Sequence, residues 1–302
     1  MSWLVFAFSG PVLWAASTHI DKYLVEKYFK KSNVAVLLIF TALIGMLTLP
    51  FIAILVPEAV SVAPRSALLM ALSGILYMGA MLFYLWALQS EDAASVAPFY
   101  QAAPLFGYVL AYLVLGEELS AVQMVGGGLI ISGTVLVSLQ SQAQKTAFKI
   151  HLAALMLTCA LALAASSLIF KLFALRAEFW PTTFWMYAGE AVFGGVLFVI
   201  PSVRKQFIKL MQFSPGAVLS VNAANELINL GGSLGTRYAL LLAPLSLVQA
   251  IGSTTTIFVF AFGIVLSIIF PTANSAELTR EDLLRKGIAA IIVALGSVLV
   301  CQ

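Results

Sequence analysis

A row of amide and carboxylate side chains runs along one apolar segment, residues 215–240. Asn222, Glu226 and Asn229 are spaced by four and then three residues, so a helix would place them on one face, with Asn225 beside it. Amides bind polar solutes by hydrogen bonding, and a buried carboxylate can bind a cation or exchange a proton. The row therefore predicts a solute-binding site in which Glu226 is the proton or cation site. The alternative is that these side chains only join helices by hydrogen bonds.

A second carboxylate, Glu190, lies in the middle of another apolar segment, residues 181–200. An ionised side chain at that depth costs roughly 2.5–3.5 kcal/mol on insertion scales. We expect Glu190 to be neutral at rest and to carry a proton during the functional cycle. The alternative is a neutral Glu190 that is bonded to a neighbouring helix.

Other polar and aromatic residues share the faces of neighbouring segments. A Tyr ring offers both a stacking surface and a hydroxyl donor, which suits organic solutes, although ordinary packing explains Tyr77 and Tyr84 equally well. Gln101 and Gln249 would contact the solute if their segments line the cavity. Helix kinks without any solute contact explain these segments equally well. The candidate substrate-binding residues are Trp14, Thr18, Asp21, Tyr77, Tyr84, Gln101, Glu190, Asn222, Asn225, Glu226, Asn229, Gln249 and Ser253.

The composition indicates that these residues lie in a membrane protein. The 302 residues are 62% hydrophobic and 10% charged, with a mean hydropathy of +1.03, so lipid must cover most of the surface. The net charge is only +3, and the basic residues form no patch with interleaved aromatics. This excludes nucleic-acid binding. Cys159 and Cys301 lack metal-site spacing, and we expect no disulfide between them.

Enzyme motifs are missing from the sequence. His19 and His151 are the two histidines, and neither a His-Glu-x-x-His motif, a nucleophile elbow nor a Walker-type phosphate loop occurs. We therefore predict no enzymatic activity, no cofactor and no metal site.

Ten apolar segments have about the 20 residues that a helix needs to cross the hydrocarbon core. The predicted fold class is an all-α membrane protein with ten transmembrane helices. The predicted segments are residues 3–24, 34–56, 66–88, 94–115, 122–139, 152–175, 181–200, 215–240, 244–270 and 284–300.

The second half of the chain repeats the first. The triplet Ala15-Ala16-Ser17 recurs as Ala164-Ala165-Ser166, and Lys22 recurs as Lys171. We therefore divide the chain into two five-helix units, residues 1–142 and 143–302. Because five is odd, the second unit must run inverted through the membrane, and inverted repeats place the substrate site in a central cavity between them. The small residues of the fifth and tenth segments predict a packing seam.

Several motifs carry a resemblance to a known family. They are Leu13-Trp14-Ala15-Ala16-Ser17, Leu115-Gly116-Glu117, the Gly-rich stretch 126–133 and Ala243-Pro244-Leu245-Ser246. In this order they resemble the drug/metabolite transporter superfamily, EamA type, although Leu266-Ser267-Ile268 lacks the Gly-Glu step. The resemblance implies a ten-helix secondary transporter in the inner or plasma membrane, with relatives that carry amino acids, sugars, nucleosides, amines and drugs.

We predict a secondary transporter, and more specifically an exporter, of a small organic metabolite such as an amino acid or amine. It would work by alternating access, with proton coupling through Glu226 or Glu190. The alternative is a flippase or transporter of a lipid-linked or phosphorylated headgroup, for which Lys22, Lys171 and Arg237 supply cations. The expected partners are the small-molecule substrate and the lipid bilayer, and the protein would be a monomer or a weak homodimer.

The remaining charges are assigned to the surface. Lys22 and Lys171 are interpreted as interfacial anchors, or else as markers of the two mouths of the cavity. Glu117 and Glu118 are interpreted as solvated loop charges. Eleven Lys and Arg lie in odd-numbered connections and three in even-numbered ones, so the positive-inside rule places the odd connections in the cytoplasm. The family resemblance implies cytoplasmic termini instead.

Overall fold

The computed structural model describes residues 2–24, 33–90, 102–138, 150–213, 215–269 and 280–300, and these contain helices and no strand. The helices are α1 (Ser2–Leu24), α2 (Ala35–Leu55), α3 (Pro64–Ser90), α4 (Ala103–Leu115), α5 (Ala121–Ser138), α6 (Ile150–Ala177), α7 (Phe179–Val199), α8 (Pro201–Phe213), α9 (Pro215–Leu242), α10 (Leu245–Gly252), α11 (Thr255–Ile269) and α12 (Arg280–Val300). A single 3-10 turn, Pro57–Ala59, follows α2.

Within the described part of the chain, six candidate spans are long and apolar enough to cross a membrane: Trp3–Asp21, Ala35–Leu55, Pro64–Ala87, His151–Ala177, Phe179–Val199 and Leu245–Leu266. Three shorter apolar helices, in α4, α5 and α12, are also present. The 28-residue α9 is long enough but more polar, because it carries the Asn and Glu row. An all-helical, multi-pass membrane protein is thus confirmed.

The ninth predicted segment is not one continuous helix. It is divided into α10 and α11 at Ser253 and Thr254. Their hydroxyls donate to the carbonyl oxygens of Ala250 (2.6 Å) and Ile251 (2.7 Å), three residues back. Such local bonds compete with the regular helical ladder, which explains the break. The fourth predicted segment begins in residues outside the described ones.

Helix α8 occupies a stretch that the hydropathy pattern assigns to a connection. Val203 is buried, and Phe207 packs against the Phe40 ring with a centroid distance of 5.1 Å. Arg204 and Lys205 are exposed. The helix was missed because it is too short and too polar to cross a membrane, although its apolar residues recur at helical spacing.

Close helix approaches hold the bundle together. Helix α7 packs on α3 so tightly that a Cβ at Gly189 would overlap the carbonyl oxygen of Ala71. Helix α5 packs on α12, where a Cβ at Gly126 would lie 2.8 Å from the carbonyl oxygen of Gly296. The predicted seam between the fifth and tenth segments is thereby confirmed, because only residues without bulk permit this spacing.

One residue, Glu178, joins α6 to α7. Its backbone has φ 72° and ψ 163°, a combination that residues with a side chain rarely adopt. The carbonyl oxygen of Glu178 accepts a hydrogen bond from the Thr182 hydroxyl (2.9 Å), which fixes the start of α7. The two helices are therefore connected without an intervening loop.

Candidate solute-binding site

A polar cavity lies among α2, α3, α7 and α9, near the middle of each helix. Its volume for water-sized molecules is about 30 Å³, so this conformation has room for one water and not for an organic solute. The lining residues are Thr41, Ile44, Gly45, Tyr77, Tyr187, Glu190, Glu226, Asn229, Leu230, Ser233 and Arg237.

Glu190 is paired with Arg237, and both are buried. The Arg237 Nη2 atom donates to Glu190 Oε1 at 2.9 Å. The guanidinium carbon lies 4.8 Å from the centroid of the Tyr187 ring, and a face-on cation–π contact adds to the pairing. This cation on α9 was not predicted from the sequence as the partner of Glu190. Arg237 could have been found from the sequence, because it continues the spacing of the row in α9.

Glu226 has a different environment within the same cavity. Its Oε1 accepts a hydrogen bond from the Thr41 hydroxyl at 3.1 Å, and the residue is 8% exposed. One turn further along α2, a Cβ at Gly45 would lie 3.6 Å from Glu190 Oε2. Both carboxylates therefore face α2 about one helical turn apart, a separation of roughly 5–6 Å.

Asn225 connects α9 to α1 outside the cavity lining. Its Nδ2 atom donates to Asp21 Oδ1 at 2.7 Å, and Asn225 is 1% exposed. Trp14 is half-buried on α1, while Thr18 is exposed and donates to the Trp14 carbonyl oxygen. Asn225, Asp21 and Trp14 therefore lie at the contact between α1 and α9, and Thr18 does not.

The structure brings four of the predicted residues together in the cavity, Tyr77, Glu190, Glu226 and Asn229. Asn222 and Ser253 are buried elsewhere, and Tyr84 and Gln249 are half-buried away from the lining. Gln101 lies outside the described residues. The described residues contain no group of three His, Cys, Asp or Glu placed to hold a metal ion.

A second cluster of charges lies where α4 ends and α10 begins. Lys171 of α6 is 4% exposed, forms an ion pair with Glu117 and donates to the Ala243 carbonyl oxygen at 2.6 Å. The other Glu117 oxygen accepts from the backbone N–H of Leu245 at 2.9 Å. Gly116 makes this turn possible with φ 66°. Lys171 is thus not an interfacial anchor, and Glu117 is not a solvated loop charge.

An apolar groove of about 610 Å³ opens between α1, α9 and α11. Ala16, Val221 and Phe262 are among its lining residues, as is the half-buried His19. The His19 Nε2 atom lies 2.9 Å from the Val259 carbonyl oxygen, a contact that joins α1 to α11.

Comparisons with known proteins identify the first half of the chain. Residues 1–139 match the family model of the EamA-like transporter family. A solved structure described only as "Crystal structure of protein" is 16% identical, with a TM-score of 0.72, over 99% of this chain and 96% of that chain. That similarity shows a shared fold, and no curated protein matches the sequence. Residues 1–139, a little under half of the chain, are thus similar to the EamA-like transporter family, which belongs to the drug/metabolite transporter superfamily.

Proposed function

We propose that the protein is a secondary transporter of a small organic metabolite, which binds in the polar cavity. The observation that carries this proposal is a buried cavity with two carboxylates and a guanidinium at mid-membrane depth. Its walls come from both halves, α2 and α3 from the first and α7 and α9 from the second. Such a site between repeats suits alternating access. Transport would be outward, across the inner or plasma membrane, by a monomer or a weak homodimer.

The pattern of helix contacts supports the inverted repeat on which this mechanism depends. Helix α1 packs on α9 and α11. In the repeat, the equivalent of α1 is α6, and α6 packs on α3 and α4, the equivalents of α9 and α11. Helices α2 and α7, and helices α5 and α12, pack on their own equivalents. A two-fold exchange of two five-helix units, residues 1–142 and 143–302, produces this pattern.

We assign proton coupling to Glu226 rather than to Glu190. Glu190 is ion-paired with Arg237, whereas Glu226 is bonded to the neutral side chains of Thr41 and Asn229. An ion-paired carboxylate has the weaker tendency to bind a proton, because protonation would leave Arg237 buried without a counter-charge. Glu226 can therefore exchange protons with the least disturbance of its surroundings.

The substitution Glu226→Gln tests this assignment, because it keeps the shape and removes the titratable proton. In proteoliposomes the variant is expected to lose pH-driven accumulation of substrate and to retain exchange of substrate for substrate. Glu118→Gln, which removes an exposed carboxylate outside the cavity, is the control and should keep pH-driven accumulation. Accumulation that persists in Glu226→Gln would contradict the proposed coupling.

The apolar groove favours a second candidate, transport of a lipid-linked or phosphorylated headgroup. A groove that opens towards lipid could hold an acyl chain, as such a substrate requires. The headgroup would need a cationic site, however, and Lys171 is neutralised by Glu117. Thermal stabilisation by phosphorylated headgroups, and not by metabolites, would favour this candidate over the first.

A further inference from the structure

Two hydrogen-bonding groups in the cavity are not fully satisfied. Among the described residues, Arg237 Nη1 is buried with no hydrogen-bond partner. The Tyr187 hydroxyl is buried beside the Arg237 and Ser233 side chains, without a well-formed hydrogen bond to either. Arg237 as a whole is 6% exposed, so bulk water does not reach its guanidinium freely. A buried donor on a charged group costs free energy when it is unsatisfied, so such groups are normally paired. These atoms are available to a bound molecule.

The geometry limits what that molecule can offer. Nη2 of Arg237 donates its hydrogen bond to Glu190, so Nη1 is left for another acceptor. An anionic oxygen is the acceptor that a guanidinium binds most strongly, and the adjacent Tyr187 hydroxyl can donate to a second oxygen. The Arg237 end of the cavity is therefore equipped for an oxyanion.

The charge balance sets a second condition. Arg237 and Glu190 compensate each other, so an ionised Glu226 gives the cavity lining one net negative charge. Asp21, which is bonded to the adjacent Asn225, adds negative charge beside it. A bare monoanion would add a second negative charge at low dielectric, which is unfavourable. An anionic group can enter only with a compensating positive charge, either an ammonium of the same solute or a proton on Glu226.

We propose that Arg237 and Tyr187 form an anion-binding subsite, and that the transported solute carries a carboxylate or similar oxyanion which docks there. Glu226, about one helical turn away along α2, faces the compensating ammonium or holds the proton. The subsite deepens the proposed function and rests on it, because it fixes the class of solute that the same cavity accepts.

A series of matched compounds tests the subsite. Aliphatic, aromatic and polar side chains are each presented as the amino acid, its amide, its amine and its carboxylic acid, and the thermal unfolding of the full-length purified protein is recorded with each compound. Carboxylate-bearing members are expected to have apparent affinities about 10- to 100-fold higher than the matched amides and amines. Tighter binding of the carboxylic acids at lower pH would identify the proton as the compensating charge, and a preference for amino acids at neutral pH would identify the ammonium.

The double variant Glu190→Gln with Arg237→Gln removes the subsite without a change of net charge. Arg237→Gln alone would leave Glu190 buried without its cation, so the pair is replaced together. The double variant should lose the preference for carboxylates and keep its affinity for amines. The double variant Glu117→Gln with Lys171→Gln is the matched control, since it removes a buried pair outside the cavity and should keep the preference. Tyr187→Phe removes only one hydroxyl and should weaken carboxylate binding about 2- to 10-fold.

The possible results separate the subsite from the proposed function. Equal stabilisation by carboxylates and their amides, or no stabilisation by any carboxylate, would overturn the subsite. A preference for carboxylates that survives in the Glu190 and Arg237 double variant would also overturn it. A carboxylate preference without accumulation in proteoliposomes would support the subsite and contradict transport. Accumulation of amines alone would support transport and contradict the subsite.

Discussion

Two ion pairs among the described residues contain buried charges, and they differ in their surroundings. Glu190 and Arg237 lie in the central cavity, where Arg237 keeps an unpaired donor. Lys171 and Glu117 lie at the end of the bundle, where a backbone N–H and a carbonyl group complete their hydrogen bonding. A fully satisfied pair is suited to holding helices together, and an incompletely satisfied pair is suited to binding a ligand.

Loss of one partner of the Lys171–Glu117 pair should be costly. Lys171→Met leaves Glu117 without its cation, and we expect the free energy of unfolding to fall by about 3 kcal/mol. Replacing both residues, as Lys171→Met with Glu117→Gln, should cost less than the sum of the two single changes. Unfolding of the four proteins in detergent gives the double-mutant cycle, and strictly additive effects would show that the pair is not coupled.

The position of a single residue could be predicted from the sequence only where the spacing of polar residues shows which face of a helix it occupies. The spacing in α9 brought Glu226 and Asn229 to the cavity as expected. It could not report that Glu190 meets Arg237, because their helices are brought together by packing between distant parts of the chain. Asn225 shows the limit of the method, because its side chain turns to Asp21 on α1 instead of to the cavity.

At the scale of helices, the contact between α3 and α7 should be the most sensitive to added bulk. Gly189→Ala places a methyl group against the Ala71 carbonyl oxygen, and we expect a loss of about 1–3 kcal/mol in stability. Gly195→Ala is the control on the same helix, because nothing lies within 4 Å of its added Cβ. It should be neutral or stabilising by up to about 1 kcal/mol. Thermal unfolding of both variants makes the comparison, and equal losses would contradict the close approach.

The joint at Glu178 gives a prediction of the opposite sign. Glycine adopts its backbone conformation without strain, so Glu178→Gly should stabilise the protein by about 1 kcal/mol. Glu178→Ala removes the same charge and keeps the strain, and it should give no such gain. A melting temperature that rises equally in both variants would attribute the effect to the charge.

Elements with a strong apolar period were predictable, and those set by local bonds were not. Helices α1, α2 and α6 begin and end within two residues of the predicted segments. The break between α10 and α11 depends on where two hydroxyls point, which the hydropathy pattern does not record. Helix α8 depends on a core that other helices must first supply.

At the scale of the whole molecule, the distribution of basic residues predicts the orientation. Lys205 lies in α8, on the side of the odd connections, and we expect it to face the cytoplasm. A cysteine introduced at Lys205, in a background without Cys159 and Cys301, should be shielded from an impermeant thiol reagent in intact cells. A cysteine at the exposed Arg65, on the opposite side, should react readily. The reverse labelling pattern would establish cytoplasmic termini.

The one-residue joint between α6 and α7 has a mechanical consequence. Helix α6 holds Lys171 at the end of the bundle, and α7 holds Glu190 at its centre. A single residue, with its carbonyl already bonded to α7, cannot take up a displacement by bending as a long loop would. Any change in the angle between α6 and α7 must therefore be absorbed by the backbone dihedrals of Glu178 itself. Movement of the Lys171 end of the bundle relative to Glu190 would be concentrated at this one residue.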